Sequence, residues 1–186
     1  MTGAVERLRR GTIPLLVGAL LGFIGGYFAA GGGRPNALAT AAPARAAGQD
    51  RVAEIEGALE KDPESPKLLT ALGNAFYDRE DWDGAIRAYE KARRKAAGDP
   101  NLLSDLGAAY RNRGEFKRAI GFFEKARAAD PDHWQSLLNL VLINAFDTRD
   151  AGAARRHYAE LKRRYPEVPN LERIEKQIAS LPGGAV

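Results

Sequence analysis

The sequence predicts an all-α fold: a solenoid of antiparallel helical hairpins. Two observations carry that prediction. Leu69, Leu72, Gly73, Trp82, Ala85, Tyr89 and Ala92 recur 34 positions later as Leu103, Leu106, Gly107, Phe116, Ala119, Phe123 and Ala126, and a repeat of that period marks stacked supersecondary units. The apolar spacing between these positions is helical, interrupted by short breakers at Asp62-Pro63, Gly98-Asp99-Pro100 and Asp130-Pro131-Asp132, with no strand alternation. Small Ala85 and Ala119 let two helices approach closely, while Tyr89 and Phe123 fill the space between neighbouring hairpins. One hairpin cannot bury its apolar face alone, so successive units stack.

Taken in order, residues 1–11 carry Arg7, Arg9 and Arg10, and residues 12–30 run "TIPLLVGALLGFIGGYFAA" without a charge. At about 1.5 Å per residue this run comes close to the roughly 30 Å of a bilayer core, so a single transmembrane signal-anchor helix is expected. Pro14 falls in its first turn, where a missing N–H is tolerated. The basic flank places the N-terminus in the cytoplasm and the remainder on the far side, in a bacterium the periplasm. The competing reading is a cleaved signal peptide with sites at Ala37-Leu38-Ala39 or Ala44-Arg45-Ala46. The apolar run exceeds the usual signal core and ends well before those sites, which favours retention. Gly18, Gly22, Gly26 and Ala30 line one face of this helix, suited to close packing against a second copy or a partner's helix. The abundance of glycine in membrane helices accounts for the same spacing without any interface. Residues 31–49, rich in Gly, Ala and Pro, read as a flexible tether.

Residues 50–182 form the predicted domain: a half repeat over 50–65, repeats over 66–99, 100–133 and 134–167, and a capping helix over 169–182. The capping helix rests on the stripe Leu171, Ile174, Ile178 and Leu181 after Pro166 and Pro169. In the third repeat Val141 stands at the glycine position, and Ala154, Tyr158 and Leu161 fit one residue later than the strict period, which predicts a longer turn around residues 147–152.

The runs at 69–92 and 103–131 resemble the tetratricopeptide repeat, whose first helix carries a Leu-Gly…Tyr pattern and whose second carries Ala…Tyr/Phe…Ala. The anchor-plus-repeat layout is similar to that of tetratricopeptide accessory factors of bacterial cytochrome c maturation. Envelope assembly and secretion factors share it.

Charge and composition narrow the function. Of 28 Lys and Arg against 24 Asp and Glu, five Arg and only Glu6 lie in the first 49 residues, which leaves the repeat domain neutral. A polyanion-binding face needs a net basic footprint, so nucleic acid is not an expected partner. No cysteine is present, which removes thiolate catalysis and disulfides. His133 and His157 lie far apart without metal-ligand spacing, so no catalytic, cofactor-binding or metal-ligating residue is predicted and the chain is not expected to be an enzyme. His133 reads as a turn residue and His157 as a solvated helix position. The cluster Arg155, Arg156, Lys162, Arg163 and Arg164 reads as the polar face of an amphipathic helix, or as a contact for anionic lipid or an acidic partner.

The resemblance implies that a protein or peptide segment binds along the concave surface of the first helices. By similarity the residues projecting there are Lys67, Thr70, Asn74 and Tyr77, then Asn101, Ser104, Ala108 and Arg111, then Gln135, Leu138 and Leu142. Asn74 matches one position of the clamp with which some family members hold a peptide's C-terminal carboxylate, but Thr70 and Asp105 stand where that clamp has Lys and Asn. The implied function is a membrane-anchored periplasmic scaffold for protein–protein interaction in assembly or maturation of an envelope or cytochrome complex. A permanent structural subunit of a larger membrane complex, or a homo-oligomer, fits the same layout.

Overall fold

The structure, a computed structural model, describes residues 41–182, and the three hairpins fall within the compact unit Ala44–Val186. The expected membrane helix, with Gly18, Gly22, Gly26 and Ala30, lies outside the described residues. Among the described residues no helix is long and apolar enough to cross a membrane.

All regular elements among the described residues are helical: α1 (Ala41–Leu59), α2 (Pro66–Asp78), α3 (Trp82–Arg93), α4 (Pro100–Asn112), α5 (Phe116–Ala129), α6 (Trp134–Leu142), a π-helical turn (Ile143–Asp147), α7 (Ala151–Arg164) and α8 (Leu171–Ala179). Helices α2 and α3, α4 and α5, and α6 and α7 form three hairpins, and α3 packs on α4 and α5 on α6. Helix α1 starts at Ala41, so residues 41–49 of the expected tether are helical instead. Pro43 sits in its first turn, where no intrahelical N–H is lost.

The helix starts follow local chemistry. Asp81, Asp99 and Asp150 each accept a backbone N–H of the first turn of the following helix, at 2.8, 2.9 and 2.9 Å. His133 serves α6 the same way and is buried, so it caps a helix where the sequence suggested a plain turn. Between the two helices of each hairpin one residue takes the left-handed conformation: Glu80 (φ 60°), Gly114 (φ 87°) and Arg149 (φ 58°). The first two turns close identically, with Asp81 N–H donating to Phe76 O and Glu115 N–H to Tyr110 O, the 6→1 bond of a Schellman ending. Arg149 follows Gly114 by 35 residues rather than 34.

That extra residue has a structural source. The π-turn inserts one residue between α6 and α7, with Thr148 N–H reaching back five positions to Ile143 O at 2.9 Å. The sequence offset therefore arises at the end of the first helix, earlier than the expected 147–152 turn. Close packing of the hairpins explains the repeated glycine: a Cβ on Gly107 would lie 2.6 Å from Phe123 Cε1, and one on Gly73 would collide with the Tyr89 ring. In the third hairpin Val141 and Tyr158 are both buried, with the longer turn between them. Trp82 and Phe116 occupy the equivalent first positions of α3 and α5 and are half-buried rather than fully enclosed. Trp82 meets Tyr77 edge-on, ring centroids 5.0 Å apart.

Candidate groove on the inner helices

Helices α2, α4 and α6 are the first helices of successive hairpins, and a row of polar contacts joins them. Asn112 Nδ2 donates to Tyr77 Oη at 2.7 Å, linking α4 to α2. Asn139 Nδ2 reaches Ser104 Oγ at 3.5 Å, and a ring nitrogen of His133 lies 3.2 Å from Asn101 Oδ1, linking α6 to α4. Arg111 Nε donates to Asp147 Oδ2 at 2.6 Å. Tyr89, buried in the core, donates to Asn74 Oδ1 at 2.7 Å.

These contacts sort the residues expected to face a ligand. Lys67 and Asn101 are exposed; Thr70, Asn74, Tyr77, Ala108 and Gln135 are half-buried and line an accessible stretch over α2, α4 and the start of α6. Ser104 and Arg111 (9% exposed) are buried, and so are Leu138 (2%) and Leu142 (5%). The apolar end expected from Leu138 and Leu142 is therefore not an open surface: α6 is buried from Ser136 to Leu142, and these side chains belong to its enclosed part. Arg111 is likewise an ion-paired member of the array and not a projecting cation. Asn112, Asn139 and Asp147, which the similarity does not name, pair with the predicted set, and Asp105, named by it only as a departure from the carboxylate clamp, stands beside it. Asp105 and Asn112 share a stripe with Ala108 at helical spacing, which is the sequence signal that finds them.

Electrostatics distinguish one of these groups. Burial pushes the Asp105 carboxyl up to about 7, and neighbouring Asp99 acts in the same direction. Burial also raises Tyr77, with the Asn112 hydrogen bond opposing it. Neither shift comes from a nucleophile paired with a base, and no three His, Asp or Glu groups are placed to hold a metal ion among the described residues.

Two members of the basic cluster on α7, Lys162 and Arg155, bind the capping segment. Lys162 Nζ lies 2.9 Å from Glu175 Oε2, and Arg155 donates to Ile178 O and Leu181 O. Arg164 meets Glu160 and Asp132, at 3.1 and 2.6 Å. Arg156 and Arg163 remain exposed. His157, half-buried, lies 3.4 Å from Asn144 at the π-turn, which is less solvated than expected.

Two family models described as tetratricopeptide repeat match residues 29–100 and 76–141. Among solved structures the fold is similar to the Arabidopsis OM64 TPR domain, with 18% identity and a TM-score of 0.58 over 62% of this chain and 94% of that one. It is similar also to the yeast Sti1 TPR2B domain, solved as a complex with pHsp70, with 19% identity and a TM-score of 0.56 over 61% and 92%. No curated protein matches the chain.

Proposed function

We propose, from the premise that the chain belongs to the tetratricopeptide repeat family, that it is a scaffold whose inner helices bind an extended segment of another protein, without chemistry of its own. The supporting observation is the accessible polar stretch formed by Lys67, Thr70, Asn74, Tyr77, Asn101, Ala108 and Gln135. Tyr77 and Asn101 there are already held by hydrogen bonds from the next repeat and Asn74 by Tyr89 of its own hairpin, so a ligand meets a partly preorganised surface. The yeast Sti1 neighbour, solved with pHsp70, is consistent with such use of the fold.

The uncharged run at 12–30 behind Arg7, Arg9 and Arg10 supports a membrane-anchored scaffold with its repeats in the bacterial periplasm. Assembly or maturation of an envelope or cytochrome complex is the process that such a layout suits. A permanent subunit of a membrane complex is the alternative. Affinity capture of the full-length chain from detergent-solubilised membranes tests the reading. A partner lost on Thr70→Arg with Asn101→Arg, at unchanged helical signal, supports groove binding; a partner lost only on Gly22→Leu with Gly26→Leu assigns recognition to the membrane helix and favours the permanent subunit.

A further inference from the structure

We propose that the stretch between α2 and α4 contains a subsite for a basic side chain, an Arg or Lys of the bound polypeptide, whose counter-charge is Asp105. This rests on the groove reading above and specifies the chemistry of its ligand.

Asp105 lies on the same stripe of α4 as Ala108 and Asn112, and Asn112 touches Tyr77 of α2; that stripe therefore faces the neighbouring inner helix. The carboxylate has no hydrogen bond or ion pair among the described residues, although its surroundings are polar. It is half-buried, not sealed, so a ligand can reach it. Tyr77 of α2, Tyr89 of α3 and Asp99 at the start of α4 couple to it electrostatically and none supplies positive charge; Arg111 acts on the same Tyr77. A carboxylate withdrawn from water and left without a cation is costly. A guanidinium or ammonium entering from solvent restores the missing partner, with the Tyr77 ring nearby as an apolar wall for its stem.

The inner-face cation that also acts on Tyr77 does not compete for this role. Arg111 is held by Asp147 at 2.6 Å. The same neutralisation removes it as a receptor for an anionic ligand, and Asp105 would repel a terminal carboxylate placed beside Asn74. Attraction for one charge and repulsion of the other together give selectivity.

The test uses the full-length chain in detergent and an array of blocked decapeptides, random except at one central position fixed as Arg, citrulline, norleucine or Glu. Citrulline matches Arg in shape and lacks its charge. The expected result is retention of Arg peptides about tenfold or more above citrulline and Glu peptides. The near-isosteric Asp105→Asn should abolish this preference, and Asp105→Glu should keep it; a thermal melt verifies that both variants are folded. Retention that ignores charge, or an Arg preference that survives Asp105→Asn, overturns the subsite while leaving the groove reading intact. Retention of no peptide of any class overturns both.

Discussion

Arg111 of α4 donates from Nε to Asp147 Oδ2 at 2.6 Å, a contact across 36 residues that ties the second repeat's inner helix to the π-turn of the third. With Arg111 9% and Asp147 23% exposed on their side chains, the pair is largely withdrawn from water. It converts a cation that the repeat pattern points into the groove into part of the scaffold.

Arg111→Met should therefore destabilise the domain. Loss of the charged hydrogen bond leaves Asp147 short of its donor, at a cost of roughly 1–3 kcal/mol. Urea midpoints for Arg111→Met, Asp147→Leu and the double variant form the check, and a coupling near zero would show the contact to be incidental.

The left-handed turn residues predict opposite signs at equivalent positions. Glu80→Gly and Arg149→Gly remove the Cβ penalty at φ 60° and 58° and should each stabilise by about 0.5–1 kcal/mol. Gly114→Ala should destabilise, because φ is 87° there although the space is open. Thermal melts of the three variants decide it.

Gly107 and Gly121 separate crowding from helix propensity. Alanine at Gly121 meets nothing within 4 Å and should stabilise α5 by about 0.5–1 kcal/mol. At Gly107 the new Cβ would meet Phe123 at 2.6 Å, and overpacking of about 1–3 kcal/mol outweighs the same propensity gain. Equal melting temperatures for the two variants would contradict the packing described.

Asp105 makes stability depend on pH. Its folded value of about 7 lies above the unfolded carboxylate range, so the unfolded chain releases the proton first and stability falls as pH rises from about 4 to 7. Asp105→Asn should be more stable than the wild type at pH 8, by roughly 1–3 kcal/mol, and indistinguishable at pH 4. His133 contributes oppositely: burial holds it below the ordinary histidine value, so its contribution is present above about pH 6.5 and is lost as pH falls. The difference between wild type and Asp105→Asn, read across pH, isolates the carboxylate.

The hairpins were legible because their signal is local and repeated: the Leu, Gly, Ala and aromatic positions return after 34 residues, with proline-containing breakers between units. Val141 and the displaced Tyr158 also showed that the third unit departs from the period. The π-turn at Ile143–Asp147 was not legible, since one inserted residue can be absorbed anywhere between two helices and only the backbone shows where. The inner face was legible by position but not by role. Repeat register places Arg111, Leu138 and Leu142 toward the groove, yet the partners that bury or neutralise them, such as Asp147, come from a different repeat. Trp82 and Phe116 were found in register, but their half-burial sets the cost of Trp82→Ala or Phe116→Ala below the roughly 3–5 kcal/mol of an enclosed aromatic.

Site-specific photo-crosslinking tests the central claim, that a polypeptide partner lies along the inner helices. A photoreactive amino acid is placed in the full-length chain at Thr70 or Asn101 on the inner face, and at Lys117 or Glu124 on the exposed side of α5, and adducts in native membranes are identified by mass spectrometry. The groove reading predicts one discrete polypeptide joined at Thr70 and Asn101 and absent at Lys117 and Glu124. Adducts confined to Lys117 and Glu124, with none from the inner face, would contradict it.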